Sequence, residues 1–327
     1  VSTSGASSGG IADHYLYYGG ERLMKDLFVD GHVDHAIFQP ARLGAFYRTG
    51  FGQTEEAFAL TRRHPGKLTY NHCFDPRFEE AGLRQLREDA ARFGLKGFKL
   101  YTAEWKGDSR GYQLDDPWTY RYLEACRELG IRNIHIHKGP TIRPLDRDAF
   151  DVADVDKAAT DFTDLNFVVE HCGLPRLEDF CWIATQEPNV HAGLAVAIPF
   201  MHTRPRYFAQ IIGELLYWLG EDRIQFSSDY ALWTPKWLVE RFVDFGIPED
   251  MTDEYPAAHR RAEEEDPRSE RGGHVRHRGA RRGPASRTGG GLTCGPRSSG
   301  RRRAPPSTPS TTPSWTNRSP TSASSAP

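Results

Sequence analysis

The sequence predicts an α/β fold of the (β/α)8, or TIM-barrel, type that is one strand short of closure. Three observations carry this. Seven strand-like segments, near Val33, Leu68, Leu95, Arg132, Leu165, Val190 and Arg223, follow one another with helix-like stretches mostly between them. Such βα alternation argues a parallel sheet, and seven strands are one short of a closed barrel. Three of these strands finish in a side chain that can ligate a metal or move a proton: His137, His171 and Asp229. In a barrel the C-terminal strand ends converge on one mouth, where catalytic residues gather. Finally, 327 residues hold one barrel of about 250 residues together with flanking segments.

Residues 1–12 are rich in Ser and Gly and are expected to be disordered. The barrel domain is expected over 13–255. Its first segment, Tyr15 to Phe28, reads as irregular or helical, with Leu23, Leu27 and Phe28 at helical spacing. A short strand from Val33 to Gln39 is stopped by Pro40. A helix from Glu55 to Arg63 runs into the breaker His64-Pro65-Gly66, and Leu68 to Phe74 is the next strand. Glu79 to Phe93 is amphipathic and ends at Gly94, before a strand from Leu95 to Thr102. Asp116 and Pro117 then open a helix, as N-cap and N1, that Gly130 closes.

The next segment, I-R-N-I-H-I-H-K-G-P from Ile131 to Pro140, organises the rest. Alternation places His135 and His137 on one strand face and Ile134 and Ile136 on the other. Leu165 to Gly173 (L-N-F-V-V-E-H-C-G) is a second apolar run ending in histidine. A helix around Leu177 to Thr185, a strand from Val190 to Ile198 and an apolar helix from Tyr207 to Leu219 follow. Arg223 to Tyr230 (R-I-Q-F-S-S-D-Y) carries Asp229, and a helix opened by Thr234 and Pro235 runs to Phe245.

The net charge of −2 hides an asymmetry. Residues 256–327 hold fourteen Arg, no Lys and five acidic residues, a charge of +9, against −11 for the preceding 255. With few large apolar residues, this tail cannot offset its chain entropy by burial and is expected to be disordered. Three readings stand: a solvated tail, a segment that binds nucleic acid or another polyanion, or translation of a GC-rich gene in the wrong frame. Five cysteines without C-x-x-C spacing argue against a disulfide framework and for a reducing, cytoplasmic setting. No run of about eighteen apolar residues and no signal-like start is present, so no membrane association is expected.

With H-K-G at His137, H-C-G at His171 and F-S-S-D-Y at Asp229, the stretch from Val33 to Asp253 resembles the amidohydrolase-related family of metal-dependent barrels. Its relatives there look like the aminocarboxymuconate-semialdehyde and resorcylate decarboxylases. The resemblance implies a divalent metal, zinc or alternatively manganese, held by His137 and Asp229, with His171 as acid/base group. Neutral imidazole and carboxylate suit such a cation, and an open coordination position lowers the pKa of bound water to about 7. Lys99, inward-facing if Phe98 and Leu100 face the helices, reads as a contact to a substrate carboxylate or as half of an internal ion pair. Arg204 and Arg206 read as holding an anionic substrate or as a solvated face. Glu170, by alternation opposite His171, reads as a helix-facing or loop-capping carboxylate.

The family's first-strand H-x-H or E-x-H pair has no counterpart before Val33. The expectation is therefore an enzyme chain truncated at its start and frame-shifted at its end. The function expected is that of a metal-dependent hydrolase or non-oxidative decarboxylase acting on a small carboxylated or aromatic substrate. A catalytically inactive member of the family is the alternative, and a polyanion-binding protein the less favoured one. Self-association into a homo-oligomer stays open.

Overall fold

The structure, a computed structural model, describes residues 19–44, 46–48, 54–107, 111–141, 143 and 145–255. The expected disordered start, 1–12, and the basic tail, 256–327, lie outside the described residues. Seven strands form one sheet in chain order with every neighbouring pair parallel: β1 (Ala36–Phe38), β2 (Leu68–Cys73), β3 (Gly97–Leu100), β4 (Asn133–His137), β5 (Asn166–Glu170), β6 (Val190–Gly193) and β7 (Ile224–Gln225). This is the expected barrel with a strand missing: among the described residues no ladder joins β7 back to β1.

The helices are α1 (Gly20–Phe28), α2 (Thr54–Arg63), α3 (Glu79–Phe93), α4 (Pro117–Glu128), α5 (Ala153–Asp161), α6 (Leu177–Gln186), α7 (Phe200–Thr203), α8 (Pro205–Trp218) and α9 (Pro235–Phe242). The glycine stops act as expected, because Gly94 and Gly130 take left-handed backbone at φ 61° and 72°. Asp116 stands at the N-cap of α4, but its carboxylate accepts from the Gln113 amide at 3.0 Å instead of capping the helix. Helix α1 stands at the border between the sheet edges. Its Leu23, Met24 and Leu27 pack with Leu60 and Leu68, while Tyr230, beyond β7, donates to Asp26 at 2.7 Å.

Register sorts the side chains into two faces. Phe98, Ile134, Phe167 and Val190 lie side by side in one row, and Leu100, Ile136, Val169 and Ala192 in another; all eight are fully buried in the main core. Each large apolar side chain so buried contributes about 1.5–3 kcal/mol. The opposite face is polar. One row runs Cys73, Lys99, His135, Val168, His191, and the next runs His137, Glu170, Gly193, Gln225. Helices on one side and a charged interior on the other follow from period-two alternation.

Two strands are shorter than the sequence pattern suggests. β6 stops at Gly193 rather than Ile198, and β7 spans two residues rather than running to Tyr230. The Leu194 amide donates to the Gln225 carbonyl at 3.0 Å. Among the described residues, none past Gln225 has a further ladder partner, so Asp229 sits beyond the strand, at φ 51°.

Lys138, next to the interior but wholly buried, is held by Asp154 at 2.8 Å and by the Ala149 carbonyl at 3.1 Å; Asp154 also accepts from the Leu114 amide at 2.8 Å. This ties the loop after β4 to α5 and to the loop before α4. Burying both charges is costly, but removing one partner is worse, because the other is left unpaired. Lys138→Met is expected to lower stability by about 3–5 kcal/mol in denaturant unfolding. An unchanged midpoint would show that the pair does not hold this corner.

His72 faces outward beneath the helices, stacked on Phe74 with ring centroids 4.1 Å apart and 3.5 Å from Asp89 of α3. Burial pushes its imidazole down to about 4. The unfolded ring protonates near pH 6.5, so between about 6.5 and about 4 the unfolded state binds a proton that the folded state refuses. Stability from this group is present above pH 6.5 and falls as the pH drops towards 4. His72→Phe should therefore flatten the fall of Tm over that window relative to the native chain, and parallel curves would refute the contribution.

Candidate metal centre

The backbone after β4 and β5 brings His137 and His171 together. His171, Cys172 and Gly173 take left-handed φ values of 63°, 53° and 65° in succession. This turn swings His171 inward immediately after Glu170, which faces inward by strand register. The glycines of H-K-G and H-C-G are steric requirements. A Cβ on Gly139 would stand 2.6 Å from the His171 Cβ, and one on Gly173 would stand 2.6 Å from Val152 Cγ1.

Backbone carbonyls then fix the tautomers. His137 Nε2–H donates to the Pro140 carbonyl at 3.2 Å, and His171 Nδ1–H donates to the Ala195 carbonyl at 3.0 Å. A carbonyl can only accept, so each ring spends its one neutral-state proton outward. The remaining nitrogens, His137 Nδ1 and His171 Nε2, face each other at 3.0 Å. Burial holds His137 well below the ordinary imidazole range, with His171 and Lys99 adding to the effect; burial likewise pushes His171 down to about 3, with Lys99 adding. Two neutral rings therefore point lone pairs at one another, an arrangement that a cation between them relieves. Ligating histidines commonly donate their other N–H to a carbonyl in this way. These residues fit a divalent metal.

Below the pair lies a buried charged layer. The Lys99 ammonium is in direct contact with Glu170 Oε2, and Glu170 Oε1 is 3.7 Å from His135 Nδ1. Gln39 donates to that same Nδ1 at 2.6 Å and accepts from Asn71 at 3.3 Å. Asn71 crosses over Gly97, where a Cβ would meet its Oδ1 at 2.0 Å. Burial favours neutral Lys99 and draws it down to about 7, while the nearby Cys73 and Asp229 pull the other way. Burial raises the Asp229 carboxyl, with Lys99 opposing. Tyr101 and Phe150 wall His137, with centroid separations of 4.3 and 4.5 Å.

Of the residues singled out from sequence, His137, His171 and Lys99 meet around Glu170. The ligand atoms of His137, Glu170 and His171 all lie within 4.8 Å of one another. Asp229 is not in that group; its charge is felt by both Lys99 and Tyr101. Arg204 is exposed, with its guanidinium 4.4 Å over the Tyr207 ring, and Arg206 pairs with Asp250 at 2.8 Å. Glu170, read as helix-facing, is instead an interior carboxylate, because His171 reaches the interior through the left-handed turn and not by alternation. Its signal in the sequence was a lone acid closing an apolar run two residues after Val168.

Comparison with known proteins places the fold. Among curated proteins, none matches the chain. An uncharacterized TIM-barrel protein from Bordetella bronchiseptica is similar at TM-score 0.54 and 17% identity, over 75% of this chain and 81% of that one. A 2,6-dihydroxybenzoate decarboxylase from Rhizobium gives 0.53 and 17%, over 78% and 92%. A probable 2-pyrone-4,6-dicarboxylic acid hydrolase from Acinetobacter baumannii, with citric acid bound, gives 0.50 and 11%, over 72% and 88%. At these identities the likeness is one of fold. A model of the amidohydrolase family matches residues 12–264, a span that includes every strand of the sheet, and the chain therefore belongs to the amidohydrolase family.

Proposed function

We propose that the chain is a metal-dependent hydrolase or non-oxidative decarboxylase of a small carboxylated aromatic substrate. The observation that carries this is the pair of tautomer-locked imidazoles facing each other at 3.0 Å. Family membership and the fold shared with a decarboxylase and a hydrolase of carboxylated rings support the reaction class. His137 and His171 would hold the cation, zinc or alternatively manganese. Bound there, it would supply Lewis acidity towards a substrate oxygen.

The surroundings of the other side chains support the remaining roles. With Nε2 on the cation and Nδ1–H donating to the Ala195 carbonyl, His171 would have no nitrogen left for acid/base work. Lys99 is the interior cation able to take a substrate carboxylate. Asp229, whose carboxyl burial raises and Lys99 lowers, is proposed as the group that gives or accepts a proton. In decarboxylation the bond from ring to carboxylate breaks, CO2 leaves with neither bonding electron, and the ring carbon takes up a proton. In hydrolysis the attacking water loses one. Either course needs one proton carrier beside the substrate. A catalytically inactive chain is the second reading, favoured by the open border between β7 and β1.

Metal content separates the two readings. The purified chain should carry close to one equivalent of zinc or manganese by inductively coupled plasma analysis, and His137→Ala or His171→Ala should lose most of it. A metal-free chain that takes up neither ion on addition would count for the inactive reading.

Lys99→Met should raise KM for 2,6-dihydroxybenzoate by roughly 10- to 100-fold, since a hydrogen bond to a charged group is worth about 1.5–3 kcal/mol. Arg204→Gln, altered at the surface, should leave KM within about twofold. The reverse ranking would return the anion contact to Arg204.

A further inference from the structure

Away from the imidazole pair, a second convergence of charge stands on the loops that follow β1, β2 and β3, at the C-terminal end of the sheet. The Arg42 guanidinium lies 4.1 Å from the centroid of the Phe78 ring, and the Lys106 ammonium lies 4.1 Å from the same centroid. The two cations are therefore at most twice that distance apart. An aromatic face attracts a cation, but two cations that share one ring repel each other. Among the described residues neither forms an ion pair, and Lys106 donates to the Arg77 carbonyl.

The buried acids of this corner are already committed. Glu104, 3% exposed, accepts from the Leu43 amide at 2.7 Å through Oε2 and from the Gly44 amide at 2.5 Å through Oε1. It feels the Arg42 charge, yet both of its oxygens serve the backbone. Asp75, 4% exposed, holds the Arg77 guanidinium with both oxygens, at 2.9 and 2.8 Å, and accepts from the Arg77 amide at 3.0 Å. Each acid fixes one turn. Glu104 fixes the turn that carries Arg42, where Leu43 takes a left-handed φ of 45°, and Asp75 fixes the turn that carries Phe78. Two buried carboxylates thus anchor the ring and one cation, and the charges of Arg42 and Lys106 are left without a paired acid.

We propose that Arg42 and Lys106, gathered by Phe78, form a binding site for a small oxyanion, the carboxylate or phosphate group of a ligand at the rim of the barrel. Two charge-assisted hydrogen bonds of about 2.7–2.9 Å, one from each cation, together with the width of one oxyanion span a gap of this size. An anion there removes the repulsion between the cations. Because the turns that carry Arg42 and Phe78 are anchored in advance, little further ordering is needed on binding. The Phe78 ring offers the ligand an apolar surface beside its charged group. This site belongs to the loops after β1, β2 and β3, whereas His137 closes β4 and His171 follows β5. It therefore stands whether or not those imidazoles hold a metal, and it goes beyond the reaction proposed above.

The test is isothermal titration of the full chain with inorganic phosphate and with acetate, at an ionic strength held constant with sodium chloride. The native chain should bind at least one of them saturably, and the tighter of the two names the ligand's anionic group. Arg42→Gln and Lys106→Met should each weaken that binding by about tenfold or more, the loss expected for one hydrogen bond between charged groups. Phe78→Leu keeps an apolar side chain but removes the shared ring, and should weaken binding a few-fold. Lys99→Met, in the interior, and Arg204→Gln, at another exposed cation, should stay within about twofold of the native chain. Absence of saturable binding of both anions overturns the proposal, as does native-like binding by Arg42→Gln and Lys106→Met. A loss in Lys99→Met as large as that in Arg42→Gln puts the anion in the interior, and an equal loss in Arg204→Gln reduces the effect to net charge; either overturns the site. Should Phe78→Leu fail to fold, the two cation variants decide alone.

Discussion

Two backbone carbonyls, of Pro140 and Ala195, decide what the mouth of this barrel can do. By accepting the only proton each neutral imidazole carries, they turn His137 and His171 into acceptors aimed at a common point. Neither carbonyl needs a particular side chain. The rings themselves need room, and glycine at 139 and 173 gives it, where a methyl group would strike His171 or Val152. The H-x-G signature is thus a statement about clearance: the histidine supplies the nitrogen and the glycine supplies the approach.

Around that pair the interior is dominated by desolvation. His135, His137 and His171 are all driven towards neutrality by burial, and Lys99 is pulled in the same direction as far as Cys73 and Asp229 allow. A cluster of neutral donors and one carboxylate is a better host for a dication than a cluster of imidazolium ions, which would repel it. Burial and metal readiness are therefore the same property in this cavity. The aromatic walls, Tyr101 and Phe150, complete the enclosure of His137 without offering it a competing charge.

The wider scaffold separates the tasks. Apolar rows on the outer face, running from Phe98 to Val190 and from Leu100 to Ala192, fasten the strands to the helices. The loop after β4, by contrast, is anchored by the Lys138–Asp154 pair, which alternates out of the cavity between His137 and Gly139. Placing the anchor and the ligand on consecutive residues keeps a charged tie from entering the site. No helix among the described residues is long and apolar enough to cross a membrane.

The sequence by itself determined the order of strands and helices, the helix stops at Gly94 and Gly130, and the presence of histidines at the ends of two adjacent strands. These are legible because they depend on local rules: period-two alternation, breaker residues and helical spacing. It placed Lys99 on the face opposite Phe98 and Leu100, and so inward once those two seek the helices. Only the tertiary structure decided that Glu170 belongs to the interior with His171, that Asp229 lies beyond the end of β7, and that Arg204 rests on Tyr207 at the surface. The reason is that alternation fails where a strand ends. Left-handed backbone at His171 and Asp229 reorients side chains by an amount no periodicity encodes, and which carboxylate meets which cation depends on the register and curl of neighbouring strands.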